Sequence, residues 1–386
     1  MNRKWTAIVP AIFGIMLTVS ACGKEDAPTF TGNITEEPTY QDSLNVISPT
    51  AYNNVRGLKV EPGAYISIIG RESGSAYWKE IKRGALQAAV DLNGALGYTG
   101  DDEVKVTYNA PEDVENIDEQ VNLLDEELAR YPDALGIASI DAEACKVQFD
   151  LATENGIPII ALDSGNSYQG IQCTIKTDNA EAAKTGAYKL SDEMEDEGSV
   201  LLLVHDSKSA SSLERLNSFK SEIEENHPGV SITETLYLDK MDDMKKEIAE
   251  DKNKSKKEDE KKITSEDLND TDVVAYYLEK HPDIKGCFGT NITATQLGLK
   301  TLKQEDKIKD VILMGFDAGK EQLDALKSGD IKGLVVQNPF GIGYASVIAA
   351  SRSILESGNE AEVNTGYIWV TGDNLEEESI QNMLYQ

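Results

Sequence analysis

From Ala64 onward the chain alternates short apolar runs with longer stretches whose apolar residues recur every three or four positions. Tyr65-Ile66-Ser67-Ile68-Ile69 is short and rich in β-branched residues, so it predicts a strand. In Ala76 to Leu92, residues Trp78, Ile81, Ala85, Ala88, Ala89 and Leu92 share one face of a helix. The alternation continues through a strand at Val104 to Tyr108, a helix at Val114 to Arg130 and a strand at Ala134 to Ala138. A helix at Ala142 to Glu154, a strand at Ile157 to Leu162, a helix at Ala180 to Met194 and a strand at Val200 to Val204 follow. Strands separated by helices of this length are βαβ units, which build parallel sheets covered by helices on both faces, so the fold class is α/β. Arg130-Tyr131-Pro132, Asn226-His227-Pro228 and Lys280-His281-Pro282 each stand between a helical pattern and a strand. Proline cannot continue the helix, and a basic residue at its end suits the dipole.

Three segments break this rhythm. Asn2, Arg3 and Lys4 precede an apolar run, Trp5 to Val19, that Pro10 and Gly14 interrupt, the form of a secretory signal rather than a span. Leu17-Thr18-Val19-Ser20-Ala21-Cys22-Gly23 then resembles a bacterial lipobox. That implies removal of residues 1–21, a diacylglycerol on the Cys22 sulfur and a place on the outer face of the cell membrane. Residues 22–62 carry Pro28, Pro38, Pro49 and Pro62 without an apolar period and read as a flexible tether. The third break is Asp242 to Asp270, with eight lysines and eleven acidic residues, expected as a solvated helix or a rim loop. Asp251, Asn253 and Ser255 superficially match a calcium loop, but Lys256 and Lys262 stand where glycine and an acid are required.

Composition narrows the function. The 386 residues allow two domains. With 37 Lys and Arg against 68 Asp and Glu, the formal charge of −31 excludes nucleic acid as a partner. Cys145, Cys173 and Cys287 lack the spacing of a zinc or redox motif and are expected as buried thiols, although export would permit one disulfide. Of the three histidines, two sit at helix ends, and His205 lies beside Asp206 and Ser207 on one loop, where a hydrolase relay cannot form. Nucleotide-binding and nucleophile-elbow motifs are absent, and no cofactor or metal is expected.

Ligands of open parallel sheets bind beyond the carboxyl ends of the strands. Those ends carry Ser73 to Trp78, Leu162-Asp163-Ser164, Gly289-Thr290-Asn291, Gly315-Phe316-Asp317 and Val336-Gln337-Asn338. Short carboxylates and amides pair with adjacent hydroxyls, and aromatic faces cover C–H patches, which together suit a polyhydroxylated ring. Each residue also has a plainer use. Tyr77 or Trp78 can belong to the core, Asp163 and Asp317 can cap helices, and Arg215 can pair with Glu222 or Glu224 at the surface. Thr177-Asp178-Asn179 reads as a cap and hinge.

The order and spacing of these motifs resemble the ribose/galactose-type periplasmic sugar-binding proteins, the type I solute-binding fold, over nearly everything from Ala64 onward except the charged insert. The resemblance implies two lobes, residues 63–177 with 338–367 and residues 178–337 with 368–386, joined by a multi-crossover hinge. It nominates Ser75, Tyr77, Trp78, Asp163, Ser164, Arg215, Asn291, Asp317 and Gln337 as ligand contacts. Ser164 stands where the family often has arginine, and Asp239 to Met241 lack an aromatic that some members carry. The implied function is a monomeric, lipid-anchored protein that captures a sugar and delivers it to an ABC import permease. Two alternatives are a sugar-sensing partner of a membrane histidine kinase or chemoreceptor, and a glycoside-active enzyme using Asp163 and Asp317.

Overall fold

The computed structural model describes residues 37–112, 116–257 and 260–385. The expected signal, Cys22 and residues 22–36 of the expected tether lie outside the described residues. The chain divides into Met1–Pro38 and Thr39–Gln386, and the fold described here is that of the second unit.

Among the described residues, twelve strands form two sheets. The first holds β1 (Tyr65–Ile69), β2 (Lys105–Asn109), β3 (Ala134–Ile137), β4 (Ile159–Leu162) and β5 (Ile171–Lys176). The second holds β6 (Gly198–Val204), β7 (Val230–Tyr237), β8 (Ile284–Gly289), β9 (Ile312–Phe316) and β10 (Gly333–Gln337). Near the end of the chain β11 (Glu362–Asn364) returns to the first sheet, and β12 (Tyr367–Val370) joins the second. The orders are β11-β5-β4-β3-β1-β2 and β12-β10-β9-β8-β6-β7, parallel throughout except for β12 against β10. Central strands are apolar on both faces because helices cover both: Ile66, Ile68 and Ile69 of β1 and Val200 to Val204 of β6 are fully buried. In each sheet the connections from the central strand and its neighbour diverge, from β1 and β3 in one and from β6 and β8 in the other. Those switch points open a crevice at the carboxyl edge.

Helix Pro339–Ile354 is apolar all round and buried from Pro339 to Ser351, as a helix enclosed in a core must be. It crosses helix Ala76–Leu96 so closely that a Cβ on Gly84 would lie 2.0 Å from the Phe340 carbonyl oxygen. A Cβ on Gly343 would lie 1.9 Å from that of Ile81. Only glycine permits backbones to approach this far.

The chain passes between the sheets three times, after β5, β10 and β11, and the crossings are bonded to one another. Thr365 N–H donates to the Lys176 carbonyl at 3.0 Å, and Asn338 Nδ2 donates to the Thr365 carbonyl at 2.8 Å. Thr177 Oγ1 donates to Gln337 Oε1 at 3.1 Å. Asp178 caps helix Asn179–Glu193 by accepting from Glu181 N–H. The connector residues also end helices: His227 and His281 sit at the C-caps of helices Ala210–Asn226 and Asp270–Lys280.

Residues 39–62 depart from the tether expectation. They form helix Gln41–Asn45 and a single turn Thr50–Tyr52, and Leu44, Ile47, Tyr52 and Val60 are no more than 3% exposed. Ser48 and Asn364 exchange backbone hydrogen bonds at 2.8 and 3.0 Å. These apolar residues join the main hydrophobic core at irregular spacing, so no period betrays them in the sequence. In the charged insert, helix Met241–Lys254 carries exposed Lys–Asp pairs at three-residue spacing while Met241, Ile248 and Ala249 face inward. Asn253 fastens the following loop by exchanging two hydrogen bonds with Ile263, at 2.7 and 2.9 Å. Cys145, Cys173 and Cys287 are free and buried, and burial pushes their thiols up to about 11, 12 and 12.

Candidate functional site

The loops leaving the carboxyl ends of both sheets meet around a cavity of about 400 Å³. The first sheet contributes Arg71, Glu72, Ser75, Tyr77 and Trp78 after β1, and Asp163 after β4. The second contributes His205, Ser211 and Arg215 after β6, Asn291 to Thr293 with Gln296 after β8, Asp317 after β9, and Gln337 at the end of β10. Eight of the nine residues singled out from the sequence therefore line one space. Ser164 does not. It is 2% exposed and its hydroxyl donates to the Ser139 carbonyl at 3.0 Å, because the turn after β4 points it back into the first sheet's loops.

Both carboxylates are held in unusual backbone geometry. Asp163 has φ +55° and Asp317 has φ +76°, left-handed positions that cost a non-glycine residue on the order of 1 kcal/mol and concentrate at functional sites. Neither caps the helix that follows it. Tyr77 donates its hydroxyl to Asp163 Oδ1. Burial raises the Asp163 carboxyl above the usual range, with Tyr77, Arg71 and Arg215 acting in the opposite sense. Asp317 is already well bonded: Oδ1 accepts from Gln337 Nε2 at 2.8 Å and from the Tyr385 hydroxyl at 3.0 Å, and Oδ2 accepts from Ile292 N–H at 2.8 Å.

Arg215 lies at the centre of this scaffold, 4% exposed, and is not the surface residue that pairing with Glu222 or Glu224 would require. Nε donates to Asn179 Oδ1 at 2.8 Å, Nη1 to the Thr290 carbonyl at 2.7 Å and Nη2 to Gln337 Oε1 at 2.7 Å. Its guanidinium stacks 4.2 Å from the centroid of Phe316. One face of the cavity is aromatic: Tyr77 and Trp78 meet edge to face at 5.5 Å, and Tyr385 meets Tyr77 at 5.6 Å. Ser75 and Asn291 combine lining with capping, accepting from Trp78 N–H at 3.4 Å and Ala294 N–H at 2.8 Å.

Arg71, His205 and Tyr385 were not singled out from the sequence. His205 was dismissed there as a catalyst, and Tyr385 reaches Asp317 and Tyr77 only through the path of the last residues, which no local pattern records. His205 is tied to Thr290 twice: Thr290 Oγ1 accepts from its backbone N–H at 3.1 Å and is hydrogen-bonded to His205 Nδ1 at 2.8 Å. Burial first, and then Arg215 and Arg71, hold the imidazole far below its ordinary value, against the opposing pull of Asp206.

This predicts a stability that depends on acidity. The unfolded chain takes up a proton near pH 6.5 that the folded chain refuses, so His205 withdraws up to about 1.4 kcal/mol per pH unit as pH falls below that point. The raised Asp163 carboxyl acts with the opposite sign lower down, where the folded state gains the proton. Denaturant unfolding at pH 7 and pH 5 should give a steeper acid loss for the native sequence than for His205→Gln. Equal slopes would refute the buried neutral imidazole.

Among the described residues no group of three His, Cys, Asp or Glu side chains is placed to hold a metal ion. No described helix is long and apolar enough to cross a membrane.

Two lobes joined by three crossings, with a polar and aromatic cleft at the switch points of both sheets, define a two-lobed ligand-binding protein. The family described as the periplasmic binding protein domain matches residues 66–357, and the chain belongs to it. The description of this family is that of a binding domain, which gives the glycoside-active reading no support. The chain is similar to the ribose import binding proteins of Haemophilus influenzae and Bacillus subtilis, 22% identical to each over 213 and 219 residues. Those matches take in 55% and 56% of this chain and 63% and 62% of the relatives, so the chain spans a little under two thirds of their length. Among solved structures it is similar to a solute-binding protein of Agrobacterium vitis bound to α-D-tagatopyranose, with TM-score 0.69 and 24% identity over 84% of this chain and 99% of that one. A carbohydrate transporter solute-binding protein of Agrobacterium radiobacter in complex with D-arabinose gives 0.67 and 24% over 83% and 98%. At this identity the likeness concerns the fold.

Proposed function

We propose that the protein captures a sugar between its two lobes outside the cytoplasm and presents it to an ABC import permease, held at the membrane by a lipid on Cys22. The observation that carries the sugar reading is the convergence of one chemistry from separate strand ends. Trp78 and Tyr77 offer flat apolar faces, while Asp163 and Asn291 offer an acceptor and an amide on opposite walls of one cavity. The relatives that bear ribose import in their names, and the neighbours holding tagatose and arabinose, support the same class. Capture needs no bond to be made or broken. The ligand has only to contact both lobes more strongly in the closed state than in the open one.

A thermal-shift panel of monosaccharides, deoxy sugars, polyols and nucleosides tests this. A ligand at a hundred times its Kd adds about 2.7 kcal/mol to the stability of the native state and raises Tm. A panel in which nothing moves Tm would remove the sugar reading. For the anchor, Cys22→Ala should shift the protein from the membrane pellet to the soluble fraction. Unchanged partitioning would rule out attachment through that residue.

A further inference from the structure

The cleft does not end at the cavity already described. A second chamber of about 450 Å³ adjoins it, and Arg71, His205, Asn291 and Thr293 line both. The inner chamber, at water's share of roughly 30 Å³, holds about a dozen waters, room for one pyranose with its hydroxyls and some bound water. A single ring would therefore leave the outer chamber to solvent.

The walls of the outer chamber have a chemistry of their own. Ile140 on the first lobe and Leu238 on the second give it two apolar sides. Asp141, Asp206 and Asp239 place three carboxylates around it, against Lys208 and the shared Arg71. Asp206 is occupied in its own loop, where it accepts from the Lys208 and Ser209 backbone N–H groups at 2.7 and 2.6 Å. Apolar sides with acidic hydrogen-bond acceptors favour a neutral ring with hydroxyls at its edge and disfavour a phosphate or carboxylate. At the junction, His205 Nε2 lies 3.6 Å from Asp206 Oδ2, too long for a hydrogen bond, so this ring nitrogen is left to pair with a ligand where the two chambers meet.

We infer that the ligand is a disaccharide, with one ring in the inner chamber against Tyr77 and Trp78, the second between Ile140 and Leu238, and the linking oxygen beside His205. This rests on the sugar reading above and specifies it. The two can fail separately.

Isothermal titration of the purified protein with glucose, galactose, arabinose and ribose, and with maltose, cellobiose and lactose, provides the test. At least one disaccharide should bind tenfold or more tightly than either of its component monosaccharides. Asp239→Trp, at an exposed position on the rim of the outer chamber, should erase that gain and leave the monosaccharide Kd within twofold. If a monosaccharide binds and every disaccharide built on it binds no better, the second ring is refuted while sugar capture stands. Equal weakening of both ligand sizes by Asp239→Trp refutes the outer chamber as a binding site. If neither size binds, both readings fall, and tighter binding of glucose 1-phosphate than of any disaccharide replaces the second ring with an anion.

Discussion

Arg215→Ala is expected to abolish ligand binding and to lower the unfolding free energy by about 3 kcal/mol, the scale of breaking a buried, charge-assisted network. Three acceptors lose a donor together: Asn179 Oδ1, the Thr290 carbonyl and Gln337 Oε1, which keeps Thr177 Oγ1. Gln337 is also the donor that orients Asp317, so the damage spreads to a second carboxylate. With the guanidinium gone, of the two arginines that line the cavity only Arg71 remains to offset Asp163 and Asp317. Arg215→Lys should restore part of the stability and little of the affinity, because an ammonium cannot reach three planar directions from one stem. Urea unfolding measures the first effect and calorimetric titration with the best ligand of the panel the second. Native-like affinity in Arg215→Ala would mean that the guanidinium has no bearing on the ligand.

The largest loss of stability is expected at a position with no polar chemistry. Gly343→Val should cost about 3 kcal/mol or more, since its Cβ would overlap the Ile81 carbonyl and the crossing helix has nowhere to retreat. Helix Pro339–Ile354 is locked between the first sheet and helix Ala76–Leu96, so separating the pair opens the core of that lobe. Gly94→Ala on the same partner helix is the control. Nothing lies within 4 Å of its Cβ position, and the change should be neutral or stabilising by up to about 1 kcal/mol. Equal denaturation midpoints for the two variants would show that the close crossing does not limit stability.

The contrast between these positions explains how much could be read from the sequence. β1 was legible to the residue because a dense β-branched run is bounded by glycines, and helix Ala76–Leu96 because its apolar face keeps period. β5, β7, β11 and β12 passed unremarked: β5 and β7 mix polar residues among apolar ones, and the last two are only three and four residues long. The packing of Leu44, Ile47 and Tyr52 has no local signature, since each contact is made with a part of the chain far away in sequence. In the site, Asp163, Asn291 and Asp317 could be found because strand ends are predictable places. Ser164 misled because adjacency to Asp163 says nothing about which way a left-handed turn sends the next side chain. Tyr385 and His205 acquire their roles only when the last residues and the loop after β6 reach the same cavity.

The return of β11 to the first sheet has a consequence for how the molecule is made. Residues 362–364 pair with β5, and helix Pro339–Ile354 fills the same lobe, so the half of the protein that emerges first lacks an edge strand and a central core helix until residues 339–364 have appeared. A chain threaded outward from its N-terminus thus carries a first lobe without its core helix, while the second lobe, contiguous from β6 to β10, lacks only the edge strand β12. Contacts of such long sequence separation form late and slowly. Maturation should therefore run in reverse order of synthesis, with the second lobe serving as the platform on which the first is finished.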